Sequence, residues 1–113
     1  VEGQNQIPFK ISRVYYLYNV PTDSERGGHA HIELEQVIFA LSGSFRLTVN
    51  DGICKTEYHL RDPSKGIYLN KLTWREMDCF SQGAVCMVLA SKPFDEDDYI
   101  RDKEDFLKLF GCS

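Results

Sequence analysis

The chain lacks any apolar run long enough to cross a bilayer. Its longest, Ala84 to Ala90, falls far short of the roughly 20 residues a spanning helix needs. A basic-then-apolar leader is also missing at its start, so no membrane anchor is expected. Basic residues are scattered and outnumbered, 13 Lys and Arg against 17 Asp and Glu, for a net charge of -4. Without a continuous electropositive stripe to grip a phosphate backbone, nucleic acid is excluded as an expected partner. CxxC spacing is absent among the four cysteines, Cys54, Cys79, Cys86 and Cys112. Cys79 and Cys86 sit in apolar or aromatic surroundings and read as small buried hydrophobes, and all four as reduced thiols of a cytoplasmic protein.

What is present fits one folded unit. At 113 residues, 42% hydrophobic and 27% charged, the composition is that of a soluble globular protein with one core, read as a single domain over 1–113. Short segments rich in Val, Ile, Tyr, Phe and Leu recur between turn residues, the cadence of an all-β antiparallel sandwich or barrel. From Ile11 to Val20, period-2 alternation puts Arg13, Tyr15, Leu17 and Asn19 on one face and Val14, Tyr16, Tyr18 and Val20 on the other. Pro21 to Gly28 reads as a loop, followed by one strand from His29 to Leu41. Ser44 to Val49 and Lys55 to Leu60 flank the turn residues Asn50-Asp51-Gly52 as a hairpin. Further strands are expected at Ile67 to Leu69, Thr73 to Phe80 and Ala84 to Ser91. Beyond Pro93, Tyr99, Ile100, Phe106, Leu107, Leu109 and Phe110 recur near helical spacing and end at Gly111, which predicts a C-terminal helix. The acidic run Asp95 to Asp98 then reads as its solvated start, favoured by the helix dipole.

Arg26-Gly27-Gly28-His29-Ala30-His31 carries the chemistry. Histidines two apart on a strand project from one face and can address one small site, where Glu33 and Glu35 would extend the column into a polar-lined barrel interior. A strand merely wetted by solvent is the competing reading. HxH followed after three residues by Glu35, and after seven more by Gly43, resembles the first cupin motif. A cupin metal centre takes a third histidine from the second motif. Here Gly66 to Glu76 offers Arg75 instead, and a guanidinium cannot ligate a metal, so no metal is expected.

In ordered segments the chain resembles a particular group of cupins, the WxcM-like sugar-nucleotide 3,4-ketoisomerases. The resemblance runs through Ile7-Pro8-Phe9, Arg13-Val14-Tyr15-Tyr16, Arg26-Gly27, His29-Ala30-His31, Leu34-Glu35-Gln36-Val37 and Leu41-Ser42-Gly43-Ser44. It continues through Gly66-Ile67-Tyr68-Leu69, Trp74-Arg75-Glu76-Met77, Val88-Leu89-Ala90-Ser91 and Asp98-Tyr99-Ile100-Arg101. The family carries a further leading stretch ahead of the segment matching Val1 to Phe9. Asn70-Lys71-Leu72 replaces a Pro/Gly-rich turn usual before the Trp.

The resemblance implies a cupin or jelly-roll β-barrel with a short C-terminal helix. It implies a cofactor-free, metal-independent enzyme that moves the carbonyl of a dTDP-4-keto-6-deoxyhexose from C4 to C3, and a homodimer exchanging an N-terminal strand. His29, His31, Tyr15 and Arg26 carry over as the catalytic set. Arg13, Tyr68, Trp74 and Arg75 are candidates for nucleotide or sugar contacts, although Tyr15 and Trp74 equally suit plain packing. A neutral histidine can take an acidic C3 proton near neutral pH and an enediol can return one at C4, with His29 first in line and its pairing with His31 reversible. Two other classes stay open: a non-catalytic cupin binding a sugar nucleotide, and a metal-dependent cupin oxygenase.

Overall fold

The computed structural model describes residues 7–110. Among them are β1 (Arg13–Leu17), β2 (Arg26–His31), β3 (Gln36–Ser42), β4 (Phe45–Asn50), β5 (Lys55–Leu60), β6 (Ile67–Leu69), β7 (Trp74–Asp78), β8 (Val85–Ala90), β9 (Tyr99–Ile100) and the helix α1 (Lys103–Lys108). The strands form two antiparallel sheets, one ordered β1-β8-β3-β6 and the other β5-β4-β7-β2-β9. The expected all-β class with a short C-terminal helix is what the chain forms.

Alternation explains the core. Phe45 and Leu47 of β4, Met77 of β7, Ile38 and Ala40 of β3 and Cys86 and Val88 of β8 meet between the sheets, with Phe45 stacked on Phe80 at a centroid separation of 5.2 Å. Each such large side chain taken from water contributes roughly 1.5–3 kcal/mol, which outweighs the loss of rotamer freedom and fixes the strand registers. α1 closes one end by laying Phe106, fully buried, against Trp74 and Ala30. Asp102 caps it, its carboxylate accepting from Glu104 N at 2.8 Å.

Five expectations are corrected. The strand from His29 to Leu41 is in fact two, β2 and β3, in different sheets, because the Asp98 carboxylate accepts from the backbone of Glu33 (2.8 Å) and Leu34 (3.1 Å) and holds a bend there. The acidic run is thus not merely a solvated helix start. Tyr99 and Ile100 pair with His31 and Ala30 as strand rather than helix. Asn19 takes φ 54°, ending the β1 alternation and turning Val20 into the core. Cys79 is exposed, also at positive φ, whereas Cys86 is buried as expected. Cys54, Cys79 and Cys86 are free thiols; Cys112 and the helix stop at Gly111 lie outside the described residues. No described helix is long and apolar enough to cross a membrane.

Gly43 turns β3 into β4 at φ 68°, and a Cβ there would meet Ser81 Oγ at 2.5 Å and Ala84 Cα at 2.9 Å. Ser81 cannot swing clear cheaply, since it exchanges hydrogen bonds with the Ser44 backbone. Gly43→Ala is therefore expected to cost at least about 1–3 kcal/mol and to lower the thermal midpoint by several degrees in a calorimetric scan.

Candidate active site

Polar side chains from both sheets converge in one cluster between them. Arg13 and Tyr15 enter it from β1, His29 and His31 from β2, Gln36 from the head of β3, Arg75 from β7 and Tyr99 from β9.

Local sequence explains the aim of the histidines. Gly27 and Gly28 adopt φ 86° and 69°, and the β2–β7 register slips between Gly27 and His29, so a bulge re-aims the strand. A Cβ on Gly27 would press on Arg75 O at 3.0 Å, which is why a side chain is not accommodated. After the bulge His29 lies opposite Arg75 in the ladder. The rings of His29 and His31 then meet edge to face, with centroids 4.9 Å apart, and both pack on Tyr99 at 4.9 and 4.3 Å. Spacing in the sequence anticipated that the two histidines converge.

Burial sets their protonation. Loss of water and then the Arg75 cation push His29 down to about 4 and His31 down to about 3, so both rings are neutral bases at physiological pH. His31 is fully buried, and neither ring nitrogen has a hydrogen-bond partner among the described residues. Its Nδ1 stands 3.4 Å from Asp98 Oδ2, close enough to be drawn into a bond by a small ring rotation.

Arg75 is 1% exposed. Its guanidinium donates to Gln36 Oε1 and, at 3.0 Å, to Thr73 O, while Nε is unpartnered and no described carboxylate pairs with it. Desolvation lowers it to about 10, which leaves it charged at neutral pH. Gln36 Nε2 donates to Tyr15 Oη at 3.1 Å. Burial raises the Tyr15 phenol above its ordinary value, so it keeps its proton. Arg13 lies over the Tyr15 ring at 4.6 Å with its Nε buried and unpartnered, and Arg101 lies over Tyr99 at 4.1 Å. The cluster presents two neutral bases, a protonated phenol and an excess of fixed positive charge, a set suited to moving protons on a substrate whose oxygen turns negative.

Not every expected residue is here. Arg26 is exposed at the start of β2 and donates to Glu25 O at 3.0 Å. Trp74 faces the opposite side of β7 from Arg75, buried under α1 with its indole N–H on Glu76 Oε2 at 2.7 Å. Tyr68 lies on β6, bonded to Glu35 and Asn70, beside a separate groove of about 460 Å³ between β5 and β6. Glu33 and Glu35 do not extend the histidine column: the bend turns both out, Glu33 to Lys71 at 3.4 Å and Glu35 to Tyr68. Among the described residues no three His, Cys, Asp or Glu side chains converge as metal ligands, and Arg75 stands beside His29 where a third ligand would be wanted.

Sequence reasoning overlooked Gln36, Asp98 and Tyr99. Gln36 had a signal, being the polar residue that opens the apolar run Val37 to Leu41. Tyr99 and Asp98 were hidden by a helical reading of what is a turn and a strand.

The family model described as FdtA, WxcM-like, C-terminal matches residues 1–111. A TDP-4-oxo-6-deoxy-alpha-D-glucose-3,4-oxoisomerase from Aneurinibacillus thermoaerophilus is 44% identical over 111 residues, covering 98% of this chain and 80% of that protein. A 3,4-ketoisomerase from Helicobacter canadensis superposes with a TM-score of 0.92 at 43% identity, over 98% of this chain and 84% of the other. A sugar 3,4-ketoisomerase from Thermoanaerobacterium thermosaccharolyticum, solved with TDP, gives 0.92 at 41%, over 98% and 81%. With the family model matched over residues 1–111 and its two-sheet frame superposing on solved 3,4-ketoisomerases over almost all its length, the chain belongs to the WxcM-like sugar-nucleotide 3,4-ketoisomerases.

Proposed function

We propose that the chain isomerises a dTDP-4-keto-6-deoxyhexose to its 3-keto form by proton transfer through an enediol, with no redox cofactor. The observation that carries this is His31, a fully buried neutral imidazole with both nitrogens unspent, set between the Asp98 carboxylate and the Arg75 cation. The 4-keto group acidifies the C3 proton. His31 removes it through Nε2, while Asp98 holds the Nδ1 proton and so fixes the tautomer. Sequence alone put His29 first as base. Its shallower burial favours a supporting role, contacting the sugar hydroxyls beside it.

As C3 loses its proton, charge builds on the C4 oxygen. Arg75 faces that oxyanion with a buried positive charge that needs no reorganisation. Tyr15 donates its proton to O4, then takes the one from O3, and C4 receives a proton from the imidazolium. The result is a ketone at C3 and a hydroxyl at C4, with atoms and charge balanced. Arg13, with its Nε unpartnered, suits the diphosphate, whereas the Arg101 guanidinium is held by Glu96 in two bonds of 2.8 Å. Arg26 at the exposed end of β2 is a further candidate for that charge.

Assembly and compartment follow in the same reading. β1 is an edge strand with Val14, Tyr16 and Tyr18 exposed to 45%, 49% and 66%, an apolar row that a second copy of the chain would cover in a homodimer. Any strand exchange through residues 1–6 lies outside the described residues. The free thiols at Cys54, Cys79 and Cys86 suit a cytoplasmic enzyme. Sizing with light scattering should show a dimer, and Tyr16→Asp should convert it to monomer.

Proton NMR of dTDP-4-keto-6-deoxyglucose in deuterated buffer tests the chemistry directly. The native chain should yield the 3-keto product, and His31→Asn should abolish it, a loss of at least about 100-fold. A sugar that binds and stays unconverted would move the chain to the class of non-catalytic binders.

The acid limb of kcat/KM should fall below pH 5 rather than near 6.5, since the folded histidines protonate only near 4 and 3. Stability follows the same sign. The unfolded histidines take up protons near 6.5 and the folded ones do not, so their contribution is whole above that pH. It is lost as pH falls toward 4 and 3, read as a declining thermal midpoint.

A further inference from the structure

Gln36 is fully buried and its amide is spent on two named partners, Arg75 and Tyr15. Their chemistry leaves the amide one orientation. A guanidinium only donates, so the Gln36 oxygen must face Arg75 and the NH₂ must face Tyr15. Tyr15 Oη is therefore forced to accept, and its own proton is not consumed by the protein: no acceptor for it exists among the described residues. A phenol that accepts from behind has its proton free to point into the cluster.

We infer that Gln36 is a positioning residue for the isomerisation: by donating to Tyr15 while accepting from Arg75, it commits the Tyr15 proton to the substrate oxygen and aims both groups at it. This rests on the reading of the site given above. No covalent step is added. Tyr15 gives its proton to O4 and regains one from O3, and the Gln36 amide exchanges none. The arrangement also ties acid and oxyanion donor to one rigid amide at the head of β3, so neither can drift from the other.

Gln36→Glu is the discriminating substitution. It keeps the size and the bond to Arg75, but a carboxylate accepts on both oxygens and would draw the Tyr15 proton back onto itself. The kcat for 3-keto product should fall roughly 100-fold, the scale of a lost general acid, with KM changed less than about threefold and the thermal midpoint held or raised. In the Tyr15→Phe background the same change should add little, because the proton it redirects is already gone. The ¹³Cζ signal of Tyr15, followed against pH and assigned by its loss in Tyr15→Phe, should titrate at higher pH in Gln36→Glu than in the native chain.

A role in packing alone predicts native kcat for Gln36→Glu. That result, or a full additional loss in the Tyr15→Phe background, overturns the inference. Should the native chain leave the sugar unconverted, the isomerase reading falls by itself. The Tyr15 titration, which needs no substrate, still decides whether Gln36 governs that proton, and an unshifted titration overturns it.

Discussion

A guanidinium buried without a carboxylate is the constraint around which this molecule is arranged. Arg75 sits at the centre of the five-stranded sheet's inner face, where burial of a charge costs several kcal/mol unless hydrogen bonds offset it. Two of its partners come from different strands, Gln36 at the head of β3 and the Thr73 carbonyl just before β7. Its Nε is left without a partner. The fold thus holds a cation in a dry place and stops short of neutralising it, which costs stability in the empty chain and pre-organises the site for an oxygen that becomes negative only during reaction.

The histidines depend on the same charge. Desolvation alone would lower both, and the Arg75 cation lowers them further. A base with so low a proton affinity is weak in the ground state. Its proton is taken up beside Asp98, whose carboxylate already anchors the bend between β2 and β3. One carboxylate therefore has a structural and a chemical role together, turning the chain from one sheet to the other and facing Nδ1 of His31. The bulge at Gly27 and Gly28 completes the geometry by setting His29 opposite Arg75.

Pairs of groups, more than single residues, define the cluster. Tyr15 is oriented by Gln36, Gln36 by Arg75, Asp98 stands 3.4 Å from His31 Nδ1, and Tyr99 lies against both imidazoles. Such a network rigidifies the site when each member is satisfied and leaves unspent the atoms that meet substrate. The unspent atoms here are both nitrogens of His31 and the Nε atoms of Arg13 and Arg75, all of them buried.

Local pattern by itself determined much of this. Alternation in Phe45 to Val49 and in Arg13 to Leu17 assigned faces correctly, the spacing of His29 and His31 put two imidazoles on one side of a strand, and ordered segments pointed to the family. These are readable because a strand's period of two is a property of the backbone itself. Where backbone regularity is interrupted, the sequence was silent: positive φ values break the alternation at Asn19 and form the bulge at Gly27 and Gly28, and the bend after His31 and the short β9 are decided by hydrogen bonds to residues remote in the chain. The same holds for the site. Arg75 and His31 lie 44 positions apart and Asp98 further on, so their company, and the burial that sets their charges, exist only once the two sheets close. Tertiary structure alone could send Trp74 to the helix, Tyr68 to the outer groove and Gln36 between Arg75 and Tyr15, because neighbours in sequence on a strand face opposite ways while partners in space come from different strands.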